Sequence, residues 1–299
     1  MFVLSACGAV TTDEGAADDK TVDIAINPWV GYEADAAVAA YPFEEKLGYQ
    51  VEKKGLKEEV AWQGFETGQV DLVIENWGHE SLKKKYIEEK KVAVQAGTTG
   101  NKGVIGWYVP GWMADRYPGI TNWRNLNKYA DLFKTSESGG KGQLLDGDPS
   151  FVTNDEALVK NLNLDYKVVY SGSEAATIKA AQQAAKHREP LLFYFWEPHW
   201  IHAQEDFVKV DLPAYKPGCD SDPKQVACDY PLYHLDKIAS KSFAENGGKG
   251  YQFIENFRWT NQDQDEVAGD IARGKSPQQA ARAWVESNKA VWQDWIPEG

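Results

Sequence analysis

The chain has 299 residues and a mass of 33.4 kDa, with 32 Lys and Arg against 45 Asp and Glu and a formal net charge of −13 at pH 7. This acidic balance argues against a nucleic-acid partner, because binding to phosphate depends on an excess of cationic side chains. Apolar residues make up 42% and charged residues 26%, and this composition excludes a chain that is disordered throughout.

The N-terminus combines a cysteine motif with a polar segment. A short apolar and small run precedes Cys7 in the pattern of a bacterial lipobox, in which the Cys is lipidated. The residues that follow are small and acidic, as in a flexible tether. We therefore predict a lipobox and tether over residues 1–20, and a protein held at the outer face of the cell membrane or located in the periplasm. The alternative is a chance Cys at a truncated start, because a signal peptide needs a longer apolar region before the cleavage site.

The first third of the chain predicts strands and helices in alternation. This order is the signature of an α/β unit with a largely parallel sheet, in which ligands bind beyond the carboxyl ends of the strands. The predicted strands cover residues 21–26, 49–52 and 70–74, with helices over 33–47 and ending near 69.

The middle of the chain repeats this alternation, and its last part is mostly helical. The predicted strands cover residues 103–110, 142–147, 166–170 and 190–196, with helices over 125–133, 154–162 and 174–187. After residue 206 a loop rich in turn formers is followed by two predicted helices, over 262–272 and 276–287, the second with Pro277 at its first position.

Two α/β units joined by two apolar crossings predict a protein of two lobes. We assign residues 21–105 to the first lobe, 106–200 to the second, and 201–299 to a return to the first. Two lobes joined in this way close around a ligand held in the cleft between them.

Two cysteines, Cys219 and Cys228, lie in the loop over residues 213–231, which is dense in Pro, Gly, Asp and Ser. A disulfide between them would remove about 2.5–3 kcal/mol of unfolded-state entropy. A metal site is the alternative, but no second Cys or His pair lies beside them at ligand spacing. We favour the disulfide, which implies an oxidising compartment outside the cytoplasm.

The chain contains 12 Trp, and three of them stand where predicted strands end: Trp29, Trp77 and Trp196. Rings that face each other across a cleft attract a cation that is too heavily methylated to donate hydrogen bonds, with about 0.5–2 kcal/mol from each ring. The candidates for a fourth wall are Trp107, Tyr108 and Trp112. The alternative is that these rings are ordinary packing residues.

A ligand that also carries a carboxylate needs hydrogen-bond donors. Val30, Gly31 and Tyr32 precede or open a predicted helix, whose first N–H groups form an anion site. His79 and His199 are further candidates for the polar end of the ligand, through a ring nitrogen, with a local structural role as the alternative.

The chain resembles the glycine betaine, proline betaine and choline substrate-binding proteins of ABC importers, the OpuAC-like group. The motifs that carry this resemblance are the runs 171–176, 196–200, 257–261 and 276–285, and the most specific of them is Trp-Glu-Pro-His-Trp at 196–200. The resemblance implies a periplasmic-binding-protein fold, with a mainly parallel sheet flanked by helices in each lobe. It also implies an aromatic box formed by Trp29, Trp77 and Trp196, and a carboxylate held by the backbone around Val30 and Gly31.

Two segments depart from the family pattern. Glu75-Asn76-Trp77-Gly78-His79 stands where the family more often has a Trp-Leu-Pro run, so Glu75 and His79 are candidates for reading a hydroxyl or amine. The cysteine loop looks like an insertion, and we expect it to change only the surface.

We therefore predict an extracytoplasmic binding protein that delivers a glycine betaine-like solute to an ABC permease. We expect a monomer with no enzymatic activity, no metal, no cofactor and no nucleic-acid partner. A binding protein for choline, carnitine or an amino acid is the alternative. Amino-acid sites usually contain Arg for the carboxylate, and none of the six Arg stands at the end of a predicted strand.

Overall fold

The computed structural model describes residues 20–298, and the predicted lipidation site Cys7 lies outside the described residues. Its centre is a nine-stranded sheet in the order β2-β1-β3-β9-β4-β7-β5-β6, with β8 paired to β4. The strands are β1 (Thr21–Ile26), β2 (Gln50–Gly55), β3 (Leu72–Asn76), β4 (Ala93–Pro110), β5 (Gly142–Asp146), β6 (Tyr166–Tyr170), β7 (Phe193–Glu197), β8 (Phe207–Lys209) and β9 (Leu232–Ser240).

Helices cover the sheet and form the C-terminal part of the chain. The longer ones are α1 (Val30–Glu45), α2 (Glu58–Thr67), α6 (Asp155–Asn161), α7 (Glu174–His187), α9 (Gly248–Asn256), α10 (Asn261–Ala272) and α11 (Pro277–Ser287). The shorter ones are α3 (Glu80–Lys83), continued by a π-helix (Lys84–Glu89), α4 (Gly111–Arg116), α5 (Leu126–Tyr129), α8 (Lys241–Asn246) and α12 (Lys289–Trp292). Short 3₁₀ helices lie at Trp123–Asn125, Ala130–Phe133, Trp200–Ala203 and Gln293–Trp295.

Local capping explains where several of these helices begin. The Ser173 hydroxyl accepts from the N–H of Ala176 at the start of α7. Ser276 and Gln279 form a capping box at the start of α11, with Pro277 at the first helical position. These signals are local in sequence, and the predicted starts of both helices are confirmed.

The long strand β4 joins the two halves of the sheet. β1 pairs in parallel with β2 and β3, and β5 pairs in parallel with β6 and β7. The first part of β4 runs antiparallel to β9, while its last residues run antiparallel to β7 and β8. Each half therefore contains three parallel strands, and the predicted two-lobed α/β architecture is confirmed.

The structure differs from the predicted return to the first half at residue 201. β8 still pairs with β4 beside β7, in the second half. The chain returns to the first half only with β9, which lies between β3 and β4. The predicted helix over 125–133 is also broken, into α5 between two 3₁₀ turns.

Candidate functional site

A cavity of about 680 Å³ is lined by residues from both halves of the sheet. It is lined by Trp29 and Trp77 from the first half and by Trp196 from the second. The three side chains are only 6%, 8% and 5% exposed, so most of each ring is covered by other residues of the chain. The structure thus brings together the three predicted ring residues, and their role in ligand binding stays a prediction.

Each of these rings is positioned by the end of a secondary-structure element. Trp29 occupies the N-cap position of α1, Trp77 follows β3 directly, and Trp196 is the penultimate residue of β7. The Trp77 ring can approach β4 closely because residue 103 is a glycine, and a Cβ there would lie 2.4 Å from the indole. The strand ends place the rings, and Gly103 makes room for one of them.

Four further aromatic residues line the cavity and were not predicted: Phe151, Tyr194, Tyr215 and Tyr233. Phe151, in the loop after β5, lies between the two halves, with its ring 5.7 Å edge-on from Trp29 and 5.7 Å from Trp196. Tyr233, in β9, packs 5.7 Å from Trp77. The strand-end rule that identified Trp29 also applies to β5, so Phe151 had a signal in the sequence. Tyr233 had none, because β9 itself was not predicted.

The predicted fourth wall is wrong, since Trp107, Tyr108 and Trp112 do not line the cavity. The Trp107 indole donates to Asp155 Oδ1 at 2.8 Å in the interior of the second half. Tyr108 is buried against Phe193, and Trp112 donates to a carbonyl of α7. These residues lie on or beyond the long strand β4, whose side chains point into the core at this end.

Glu75, in β3, is buried behind the first-half rings. Its Oε1 accepts hydrogen bonds from Trp29 Nε1 at 3.1 Å and from Trp77 Nε1 at 2.7 Å. Its Oε2 accepts from Gln264 Nε2 at 2.8 Å, and the same amide donates to Asp35 Oδ2 at 3.1 Å. Burial, and next the charge of Glu75, raise the pKa of Asp35 well above its usual range. One carboxylate thus holds two rings of the cavity.

The predicted donors for a ligand carboxylate are occupied by a carboxylate of the protein itself. The Val30 N–H donates to Glu174 Oε2 at 3.0 Å, and His199 Nε2 lies 3.1 Å from Glu174 Oε1. His199 Nδ1 accepts the N–H of Ile201 at 3.2 Å, so its proton is on Nε2 and points at Glu174. Glu174 comes from α7 in the second half and Val30 from α1 in the first, so this carboxylate bridges the halves.

Gly31 and Tyr32 lie in the core rather than at the cavity. A Cβ on Gly31 would lie 2.7 Å from Gln264 Nε2, which shows how closely α1 approaches α10. The Tyr32 hydroxyl accepts the N–H of Ile74 at 2.8 Å, and its ring packs 5.6 Å from Trp29. Both residues support the wall behind the site.

His79 does line the cavity, and its Nε2 lies 2.8 Å from Glu58 Oε1. The other oxygen of Glu58 accepts the N–H of Val152, in the second half, at 3.2 Å. Glu58 therefore forms a second bridge between the halves. One of its oxygens contacts Nε2 of His79, and the other accepts the N–H of Val152.

The predicted disulfide between Cys219 and Cys228 is present. Its loop is fixed to the second half, where the Tyr230 hydroxyl donates to Asp155 and Lys209 pairs with Asp229 at 2.6 Å. The expectation that this loop changes only the surface is wrong, because part of it lines the cavity. The lining residues of the loop are Tyr215, Gly218, Asp220, Ser221, Pro223 and Pro231.

The charges around the cavity are mostly acidic. None of the residues that line it, within the described part of the chain, is an arginine. Its lysine, Lys83, lies 3.0 Å from Asp236 and 3.2 Å from Glu80. Over residues 20–298 no cluster of three His, Cys, Asp or Glu is arranged to hold a metal ion. No helix in that range is long and apolar enough to cross a membrane.

Two halves, each with three parallel strands, and an aromatic cavity between them define a two-lobed solute-binding protein. A family model, the substrate-binding domain of ABC-type glycine betaine transport systems (OpuAC), matches residues 20–287. The chain belongs to this family. Its members bind solutes for transport systems and are not enzymes.

Individual relatives agree with this family. The glycine betaine/carnitine transport binding protein GbuC of Listeria monocytogenes is 31% identical over a stretch covering 46% of this chain and 42% of that protein. A trimethylamine N-oxide-binding protein of Pelagibacter ubique is 23% identical over 97% of this chain and 95% of its own length. The crystal structure of lactococcal OpuAC, closed with glycine betaine, is 25% identical with a TM-score of 0.74, and the match covers 93% of this chain and 100% of that one.

Proposed function

We propose that this protein captures a quaternary ammonium solute of the glycine betaine type in the cavity between its halves. The observation that carries the proposal is the meeting of Trp29, Trp77 and Trp196, from both halves, in one cavity whose described lining has no arginine. Methylated ligands are also those named for GbuC and for the liganded lactococcal structure.

The physical basis is the attraction between a cation and the faces of aromatic rings. A trimethylammonium group donates no strong hydrogen bonds, so hydrogen-bond acceptors cannot make a directional contact with it. An indole face contributes about 0.5–1 kcal/mol when exposed and about 2 kcal/mol or more when water is excluded. The three rings are more than nine-tenths buried in the folded chain, so little water would surround a cation held against them.

The polar end of the ligand is proposed to face the second half. Asn154 and Tyr194 line the cavity there, and His79 lines it opposite. A ligand carboxylate would reach Val30 and His199 only by displacing Glu174, which accepts from both in this structure. Asn154 and Tyr194 are therefore the first candidates for this end of the solute, and His79 would have to give up its contact with Glu58 to take part.

Delivery to an ABC permease outside the cytoplasm completes the proposal. The family model describes domains of ABC-type transport systems, and a disulfide is stable in an oxidising compartment. Lipidation of Cys7 and a monomeric state remain part of the proposal.

Isothermal titration calorimetry with glycine betaine, proline betaine, choline and carnitine tests the ligand class, with glycine as the unmethylated control. We expect at least one methylated ligand to bind at least about tenfold more tightly than glycine, a difference of about 1.4 kcal/mol. Equal binding of glycine and glycine betaine would contradict the aromatic site. Tight binding of an unmethylated amino acid would favour the alternative ligand class.

A further inference from the structure

We propose that Glu75 is a positioning residue of the cation site, which fixes the Trp29 and Trp77 indoles through their N–H groups and makes their faces more attractive to a quaternary ammonium. The proposal rests on the proposed function, since it assigns a further residue to the same site. It differs from the expectation in the sequence, in which Glu75 reads a hydroxyl or amine of the ligand.

The burial and the hydrogen bonds of Glu75 argue against a direct contact between its side chain and the ligand. Glu75 is 2% exposed and does not line the cavity, whereas both of its indole partners do. Oε1 already accepts from Trp29 and Trp77, and Oε2 accepts from Gln264. Any effect of Glu75 on the ligand therefore acts through the rings and through its charge.

The shared oxygen fixes the two rings relative to each other. Both Nε1–H groups converge on one atom, at 3.1 and 2.7 Å, so neither indole can rotate about its χ2 angle without losing a bond to a carboxylate. Bonds to an ionised acceptor are about twice as strong as neutral ones. Two walls of the first half are thereby held in place before any ligand arrives.

The charge of Glu75 adds to this positioning. Donation of an indole N–H to an anion moves electron density into the ring, which makes the face that meets the cation more negative. The carboxylate also attracts the cation directly, through a region of low dielectric constant where charges are weakly screened. A buried carboxylate is costly unless it is hydrogen-bonded, and the three N–H donors offset that cost here.

The test compares a cation with an uncharged group of the same shape. Glycine betaine and 3,3-dimethylbutanoate differ in having nitrogen or carbon at the centre of the methyl groups, so only the first offers a positive charge to the rings. We expect E75Q to weaken glycine betaine binding by about tenfold and 3,3-dimethylbutanoate binding by less than about twofold. Calorimetry, or indole fluorescence for the weaker ligand, measures both affinities.

Asp155 provides a matched control. It is also buried and also accepts an indole N–H, from Trp107 at 2.8 Å, but Trp107 does not line the cavity. D155N should leave the ratio of the two affinities within about twofold of wild type. If D155N changed the ratio as much as E75Q does, the effect of E75Q would not be specific to the indoles of the cavity, and the proposal for Glu75 would be wrong.

The outcomes separate this proposal from the proposed function. If wild-type protein bound glycine betaine no better than the carbon analogue, the proposed function would fail in the wild-type arm. If wild type discriminated and E75Q weakened both ligands equally, Glu75 would have only a structural role. Should E75Q fail to fold, W77F removes one donor and keeps an aromatic face, and it should lower the same ratio. An unchanged ratio in W77F would overturn the proposal.

Discussion

The two walls of the cavity are built by different forces. In the first half, Trp29 and Trp77 are held by directional hydrogen bonds to Glu75. In the second half, Trp196 is held by packing, stacked 4.6 Å from Phe195 and met edge-on by Phe151 at 5.7 Å. A wall fixed by hydrogen bonds is sensitive to the loss of a single N–H, whereas a packed wall is sensitive to the loss of volume. The comparison therefore predicts different responses to the same substitutions.

The disulfide loop extends the second wall. Removal of the disulfide bond has the largest expected effect on stability. Replacing both Cys219 and Cys228 by Ser should lower the free energy of unfolding by about 2.5–3 kcal/mol, because the short loop regains its entropy in the unfolded chain. Denaturant titration measures this change. Since Tyr215 and Asp220 line the cavity, ligand affinity should fall too, by about two- to fivefold. Unchanged stability and affinity would mean that the other anchors hold the loop by themselves.

Removing a whole ring should weaken either wall. W77A and W196A should each lower the affinity for the methylated ligand at least about tenfold, or about 1.4 kcal/mol, because each deletes an aromatic face of the cavity. Calorimetry measures the loss. Trp112 is the control, since it lies outside the cavity, and W112A should change the affinity by less than about twofold. A tenfold loss in W112A, or none in W77A and W196A, would contradict the placement of the site.

A smaller substitution tests whether hydrogen bonding or packing holds each wall. Phenylalanine keeps an aromatic face but has no N–H, so W77F loses the bond to Glu75 while W196F loses mainly ring area. We expect W77F to cost about five- to tenfold in affinity and W196F less than about threefold, because bonds to charged acceptors are worth more than neutral contacts. Equal losses in the two variants, measured side by side, would remove the distinction between the walls.

A separate prediction concerns the pH dependence of stability in the second wall. Asp146 ends β5 and accepts from Gly147 N–H and the Thr153 hydroxyl, which shapes the loop that carries Phe151. Burial raises the pKa of Asp146 from 3.8 to about 6. The folded protein therefore keeps this proton at pH values where the unfolded chain has lost it. The contribution to stability is largest below about pH 4, falls as the pH rises to about 6, and is constant above.

The variant Asp146→Asn tests whether stability falls with rising pH because Asp146 loses its proton. Urea unfolding at pH 4.5 and pH 7 should show a smaller decrease in stability for D146N than for wild type. The neighbouring Asp155, whose pKa burial also raises, contributes a change of the same sign and remains in both proteins. A variant with the same pH dependence as wild type would show that Asp146 does not titrate in this range.

The strand-end rule identified three of the aromatic residues that line the cavity, and the residues that it missed share a physical cause. Trp29 and Trp77 follow predicted strands, so parallel pairing alone brings them to one edge of the sheet. β9 was missed because it contains Asp236 and Lys237, which are untypical of a central strand. In the fold Lys237 is fully buried and donates to the carbonyls of Ile254 and Phe257, at 2.6 and 2.7 Å. Those partners lie far away in sequence, so no local pattern shows them.

The prediction of a fourth wall was wrong for a related reason. Trp107 and Tyr108 belong to an apolar strand whose length predicts burial, but not which side faces the cavity. β4 turned out to be 18 residues long, shared by both halves, and its last residues face the core of the second half. The neighbours across the sheet, β7 and β9, decide this orientation.

The amino-acid sequence was sufficient to predict the alternation of strands and helices, the caps of α7 and α11, the disulfide and the three rings at strand ends, because each of these depends on neighbouring residues or on strand direction. The fold was needed to show that Glu75 binds two of those rings, that Glu174 occupies the donors of Val30 and His199, and that the disulfide loop lines the cavity. Such contacts join residues many positions apart, and the packing of the two halves brings them within hydrogen-bond distance.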